Sequence, residues 1–152
     1  MKKVKYLLLL VLAMVFASGC SNTKTLKCTV SKDLGTISYK AVYEIEYDSN
    51  DFVKSVVTTE TLKADDSDYL NEAKTQAESL YDSYNEAYGG YKYDVTVKGD
   101  TLTSKCTVDY TKMDVKKYVG DNPSLTNFAD ENNNVTLSGV KSIYTALGAT
   151  CE

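Results

Sequence analysis

The sequence predicts an α+β domain: a largely antiparallel sheet of about five strands, a meander plus a hairpin, with two helices packed on one face. Three observations predict it. Segments of alternating apolar and polar residues succeed one another between 26 and 63, separated by turn-forming clusters. Residues 68–88 and 137–147 instead carry apolar residues at helical spacing. A second pair of alternating segments, 91–97 and 102–110, flanks Lys98-Gly99-Asp100, so hairpins dominate and the strands run antiparallel.

In the first strand Leu26, Cys28 and Val30 alternate with Lys27 and Thr29, and Lys32 to Gly35 supply the turn. The next strand is the clearest. Ile37, Tyr39, Ala41, Tyr43, Ile45 and Tyr47 share one face, while Ser38, Lys40, Glu44 and Glu46 take the other, with Val42 the exception. Asp48-Ser49-Asn50-Asp51 turns the chain, because Asp and Asn side chains bond their own backbone, and Phe52 to Leu62 returns as a Val/Thr-rich strand.

The helix over 68–88 has Leu70, Ala73, Ala77, Leu80, Tyr84 and Ala87 as its expected apolar stripe. Asp65, Asp66, Ser67 and Asp68 place capping side chains and negative charge at its start, and Gly89-Gly90 ends it. In the second hairpin Tyr91, Tyr93, Val95 and Val97 alternate outward, and Leu102, Ser104, Cys106, Val108 and Tyr110 alternate back. Asp114 to Tyr118 reads as a short helical turn. Residues 119–135, rich in Asn and Asp, have the least regular pattern. The last helix, 137–147, turns Leu137, Val140, Ile143, Tyr144 and Leu147 inward, with Thr136 as cap and Gly148 as stop.

The first twenty residues follow a different logic. Lys2, Lys3 and Lys5 precede an unbroken apolar run of eleven residues, Tyr6 to Phe16, too short to span a bilayer core of about twenty residues. The following Ala17-Ser18-Gly19-Cys20 resembles the lipobox of bacterial lipoproteins. That resemblance implies a signal peptide over 1–19 and lipidation of Cys20, with a diacylglyceryl group and further acyl chains such as palmitate on the new N-terminus. Ser21 to Thr25 then form a tether reaching at most about 17 Å, and residues 26–152 form a single domain. The expected location is the extracytoplasmic face of the cell membrane, held by lipid.

Removing residues 1–19 leaves 133 residues, enough for one core without metal staples. It also removes three lysines, taking the net charge from −4 to −7. An acidic body argues against nucleic acid and against electrostatic docking on anionic lipid. The sequence contains no His, Arg or Trp. It therefore offers no imidazole base for a Ser or Cys nucleophile, no common nitrogen ligand for zinc and no bidentate phosphate clamp. No catalytic motif, cofactor or metal site is expected, and the chain reads as a non-enzymatic protein.

Tyrosine is the marked enrichment, twelve residues beyond the leader. Tyr39, Tyr43, Tyr84 and Tyr88 are the candidate binding surface, because tyrosine offers contact area plus a hydroxyl at low entropy cost. Ordinary core packing, with hydroxyls at the rim of a thin sheet, accounts for the same residues. Asp130-Glu131-Asn132-Asn133-Asn134 has the opening of a calcium loop, but Val135 stands where the loop needs glycine and Lys141 where it needs a bidentate Glu. Asp65, Asp66 and Asp68 are explained by helix capping without a cation.

With Cys20 committed to lipid, Cys28, Cys106 and Cys151 remain. In an oxidising compartment at most one intramolecular bridge forms among three cysteines, and spacing leaves all three pairings open. Cys106 has no CxxC partner, no His and no neighbouring cation in sequence, so a redox or nucleophilic role has little support beside that of a small buried hydrophobe.

Taken together, the lipobox, the short tether, the meander, the Asp65–Gly90 helix, the hairpin ending in Val108-Asp109-Tyr110-Thr111-Lys112-Met113, the last helix and the closing Gly148-Ala149-Thr150-Cys151 resemble the YehR-like family of small bacterial lipoproteins, whose function is uncharacterised. The resemblance covers nearly the whole chain after the leader. It implies a compact α+β domain and a disulfide between an early first-strand cysteine and one at the extreme C-terminus, positions that Cys28 and Cys151 match. Cys106 departs from that pattern, and the family supplies no catalytic residues.

The functional expectation is a membrane-anchored binding or adaptor domain meeting an envelope protein or cell-wall component, through the exposed edge of the meander or the 119–135 loop. The alternative is a small-molecule or ion-binding lipoprotein with a Tyr-lined pocket between helix 68–88 and the sheet.

Overall fold

In the computed structural model, which describes residues 22–125 and 127–152, β1 (Lys24–Asp33), β2 (Ile37–Tyr47) and β3 (Val53–Ala64) form the antiparallel meander that their alternation predicts. α1 (Ser67–Tyr88), the hairpin β4 (Tyr91–Lys98) and β5 (Thr101–Asp109), α2 (Val115–Asp121), α3 (Leu137–Ala146) and β6 (Thr150–Cys151) follow. The sheet order is β4-β5-β3-β2-β1-β6, antiparallel throughout. The α+β class holds, with six strands and three helices. The added strand is a two-residue pairing of the C-terminus with β1, too short for any periodicity to reveal. The added helix is the turn expected at 114–118, extended to Asp121 and capped by Asp114, whose side chain accepts from the Lys117 N–H. The leader and Cys20 lie outside the described residues. No helix among the described residues is long and apolar enough to cross a membrane.

Register shows which residues share a face. Across β1, β2, β3, β5 and β4, one row reads Cys28, Tyr43, Thr58, Cys106, Tyr93, and the row beside it Val30, Ala41, Glu60, Ser104, Val95. Side chains two apart along a strand point the same way, so these rows lie on one face. All the core strand residues fall there, Val53 being out of step with the rest of β3 because it pairs with Tyr47 beyond the register shift at Glu46/Tyr47. The opposite face carries rows such as Thr29, Val42, Thr59, Lys105, Asp94, and none of the helices among the described residues packs on it.

The covered face supports two separate apolar clusters. α1 lies over β4, β5 and part of β3, where Leu70 packs with Ala64, Val95 and Leu102. The C-terminal part of the chain lies over β1 and β2, where Val140, Ala149, Phe128, Val135 and Met113 pack on Cys28, Ala41, Tyr43 and Ile45. Ile45 and Leu70 are completely buried, each contributing about 1.5–3 kcal/mol relative to exposure.

Three expectations need correction. Leu147, expected inward on the last helix, is the C-cap of α3 and 52% exposed. The inward stripe of α1 is Leu70, Ala73, Ala77, Tyr81, Tyr84 and Tyr88. Leu80 is 49% exposed and Ala87 is exposed as well, because both sit one step round the helix from the true contact line. A hydroxyl at Tyr81 hid the better stripe, since that ring is apolar while its tip is not. Residues 119–135 are also not a free loop. Phe128 and Val135 are buried, Val135 pairs with Ala129, and the Val53 N–H donates to the Val135 carbonyl.

Helix ends behave as read. Asp66 caps α1, accepting from the Asp68 and Tyr69 N–H groups, and Thr136 caps α3, accepting from Gly139 N–H.

Candidate functional site

α1 and α3 leave the middle of the sheet incompletely covered. β3 is the central one of the five long strands, yet its inward residues Thr58, Glu60 and Leu62 are only half-buried. Their sheet neighbours Ala41, Tyr43, Ser104 and Cys106 are buried. Leu62 packs against the α1 cluster, and Thr58 and Glu60 lie between the two apolar clusters of the covered face.

Glu60 is the one charged side chain among these three residues. Its Oε1 accepts from the Tyr39 hydroxyl at 2.6 Å, and its Oε2 from the Tyr81 hydroxyl at 3.2 Å. The Tyr81 oxygen also lies 3.2 Å from Ser104 Oγ. β2, β3, β5 and α1 thus converge on one polar network. Burial and the Glu60 charge push the Tyr39 hydroxyl well above the usual tyrosine range. Burial likewise raises Tyr81, with Ser104 opposing and Glu60 adding. No lysine pairs with Glu60 among the described ion pairs. The lysines facing the same way on β1, Lys24 and Lys32, are two strands from β3, about 10 Å.

The remaining tyrosines divide by their neighbours. Tyr43 is 5% exposed and stacks on Tyr144 of α3, centroids 3.9 Å apart. Tyr84 meets Tyr88 and Tyr91, and Tyr88 meets Tyr118 edge-on while Lys117 Nζ lies 4.6 Å above its ring. Of the candidate surface Tyr39, Tyr43, Tyr84 and Tyr88, only Tyr39 reaches Glu60. Tyr43 belongs to the core, and Tyr84 and Tyr88 form a second aromatic group at the C-terminal end of α1. The residues that sequence reasoning missed are Glu60, Tyr81 and Ser104. The available signal was parity: Glu60 falls in step with Val56, Thr58 and Leu62.

Cys28 and Cys151 form a disulfide, and Cys106 is a free, buried thiol at 3% exposure. Burial, with the Glu60 charge second, pushes that thiol up to about 12. It is a poor nucleophile in this setting. The Asp130 turn is self-satisfied: Oδ1 accepts from the Asn132 and Asn134 N–H groups and Oδ2 from Asn134 Nδ2. Among the described residues no group of three His, Cys, Asp or Glu side chains is placed to hold a metal ion.

No family model matches this chain, and no curated protein does. Its fold is similar to the NMR structure of the E. coli YehR protein, at 16% identity and TM-score 0.54, covering 84% of this chain and 91% of that one. It is also similar to the NMR structure of a protein from Streptococcus pneumoniae TIGR4, at 18% identity and TM-score 0.51, covering 100% of this chain and 98% of that one. At such identity the likeness shows the fold.

Proposed function

We propose that this chain is a YehR-like lipoprotein, held at the extracytoplasmic face of the membrane by acyl chains on Cys20, and that its domain is a non-enzymatic binding module taking a small ligand at the Glu60 network of β3. The observation that carries the reading is Glu60, a carboxylate on the covered face of the central strand, held by the Tyr39 and Tyr81 hydroxyls and by no lysine among the described ion pairs.

Docking of an envelope protein or cell-wall component at the meander edge or the 119–135 segment has less support. β6 occupies the middle of β1, and the segment sends Phe128 and Val135 into the core. The test is a screen of small amines, sugars and peptidoglycan fragments by tyrosine fluorescence and thermal shift. Ligands that stabilise the wild type should lose affinity in Glu60→Gln and keep it in Thr59→Lys on the opposite face. Equal loss in both variants, or none, counts against this site. Unchanged acyl labelling and membrane fractionation in Cys20→Ala would remove the anchor.

A further inference from the structure

We propose a second binding site, on the helix-free face of the sheet where β1 turns into β2, that takes the phosphate group of a small polyol phosphate. The site lies on the reverse of the sheet from the Glu60 network and does not depend on it.

A cavity of about 440 Å³ opens here, lined by Ser31 and Asp33 of β1, Ser38 and Lys40 of β2, and Thr61 and Lys63 of β3. All six fall on the face opposite the apolar clusters, because side chains alternate along each strand. Strand pairing fixes how four of them stand. Ser38 pairs with Lys63 and Lys40 with Thr61, so the four form a block with lysines at one pair of opposite corners and hydroxyls at the other. Diagonal neighbours on one face of a sheet are about 7–8 Å apart, a span that two lysine stems can close on a single anion. On β1, Ser31 pairs with Lys40 and Asp33 with Ser38, which extends the block by one strand.

The chemistry of the lining suits an anion. Lys40 and Lys63 are exposed, and neither enters the ion pairs of the described residues. Asp33 is the single acid, and its Oδ1 already accepts from the Gly35 N–H of its own turn. With Lys32, also in the lining, three lysines stand against that one carboxylate, in a chain whose net charge is negative. A phosphate monoester carries about −1.5 to −2 charges at neutral pH and three strong acceptor oxygens. Two ammonium groups and the Ser38 and Thr61 hydroxyls supply the matching charge and donors. A carboxylate brings less charge and fewer acceptors. Tyr39 sends its hydroxyl to Glu60 on the other face, so no ring is offered for stacking, and Ser31 is left for a hydroxyl of a polyol body. The acidic balance of the whole domain repels a phosphate polymer or an anionic bilayer at longer range, which favours a small soluble ester.

The experiment is calorimetric titration of the full chain, in non-ionic detergent at low salt, with glycerol 3-phosphate, glycerate and glycerol. We expect saturable binding of the phosphate, weaker binding of glycerate and none of glycerol. Lys40→Gln and Lys63→Gln should each weaken the phosphate about tenfold or more, the scale of a lost charge-assisted hydrogen bond. Both side chains are exposed, so neither change should disturb the core. Lys92→Gln makes the same change of charge on the same face but outside the lining, and should leave the affinity as it is. Glu60→Gln should also leave it unchanged, so this site and the Glu60 reading fail separately. Absence of saturable phosphate binding overturns the site. Equal weakening by Lys92→Gln reduces it to general charge attraction and overturns it too. Equal affinity for glycerate overturns the phosphate assignment, and capture by phosphatidylglycerol vesicles without binding of the soluble ester overturns the soluble source.

Discussion

Cys28 and Cys151 face each other across the β1–β6 ladder and are joined by a disulfide that spans 123 residues of sequence. The bridge ties the first strand to the last, so every other element described lies within the closed loop. Cys106 shares the row with Cys28 but lies three strands away, about 14 Å, which rules out exchange between them without unfolding.

Opening that loop should cost about 2–4 kcal/mol, mainly through the freer unfolded chain. Urea unfolding of Cys28→Ser/Cys151→Ser should therefore show a lower midpoint, and reductant should bring the wild type to the same curve. A reductant-insensitive wild type would mean that the bridge does not form in solution.

The Cys106 thiol should resist alkylation in the folded protein. Iodoacetamide labelling read by mass spectrometry should leave it unmodified under native conditions and modify it fully in denaturant. Rapid native labelling near neutral pH would contradict both its burial and its raised pKa.

Tyr81 bonds to both Glu60 and Ser104, whereas the Tyr39 hydroxyl bonds to Glu60. Tyr81→Phe should destabilise by about 1–2 kcal/mol and Tyr39→Phe by about 1 kcal/mol. Both act through one carboxylate, so a double-mutant cycle should show coupling; strict additivity would argue against a shared network.

Alkaline pH should unfold the protein. Burial raises Tyr39, Tyr81, Tyr91 and Tyr144 above the ordinary value of 10.0, and Cys106 from 9.0 to about 12. These groups are protonated in the fold after they have ionised in the unfolded chain, so the unfolded state binds fewer protons. Their contribution is complete below about pH 9 and declines as pH rises towards the folded values. Tyrosinate absorbance should lag the free amino acid and then appear together with loss of helical circular dichroism. Smooth ionisation near pH 10 in a still-folded protein would contradict this.

Gly90 joins α1 to β4 at φ +83°, and a Cβ there would stand 2.6 Å from the Asp109 carbonyl oxygen, itself held by strand geometry. Gly90→Ala should cost about 2–3 kcal/mol, combining left-handed strain with a backbone clash. Gly99→Ala, also at positive φ but with open space around it, should cost less, and chemical denaturation should rank the two.

Much of this architecture is local and so could be read from residues alone. β2 alternates over its whole length, Asp66 and Thr136 sit where caps belong, and the turns at 48–51 and 98–100 carry turn chemistry. Strand parity also placed Cys28 and Cys106 on the covered face. β3 was ambiguous because Val56, Thr58 and Glu60 alternate with Val57 and Thr59, leaving both faces equally credible. The irregularity at Glu46/Tyr47 then shifts its pairing, so Val53 and Val56 are both buried despite opposite parity.

What the sequence by itself determined was the order of the longer elements and the face that β1, β2 and the hairpin strands could bury, because these follow from backbone propensity and period. Only the tertiary structure decided that β5, not β4, pairs with β3, that the covered face carries two separate apolar clusters, and that Glu60 meets Tyr39 and Tyr81 there. Those are contacts between residues far apart in the chain, and no local pattern encodes the distance at which two helices settle on a shared sheet.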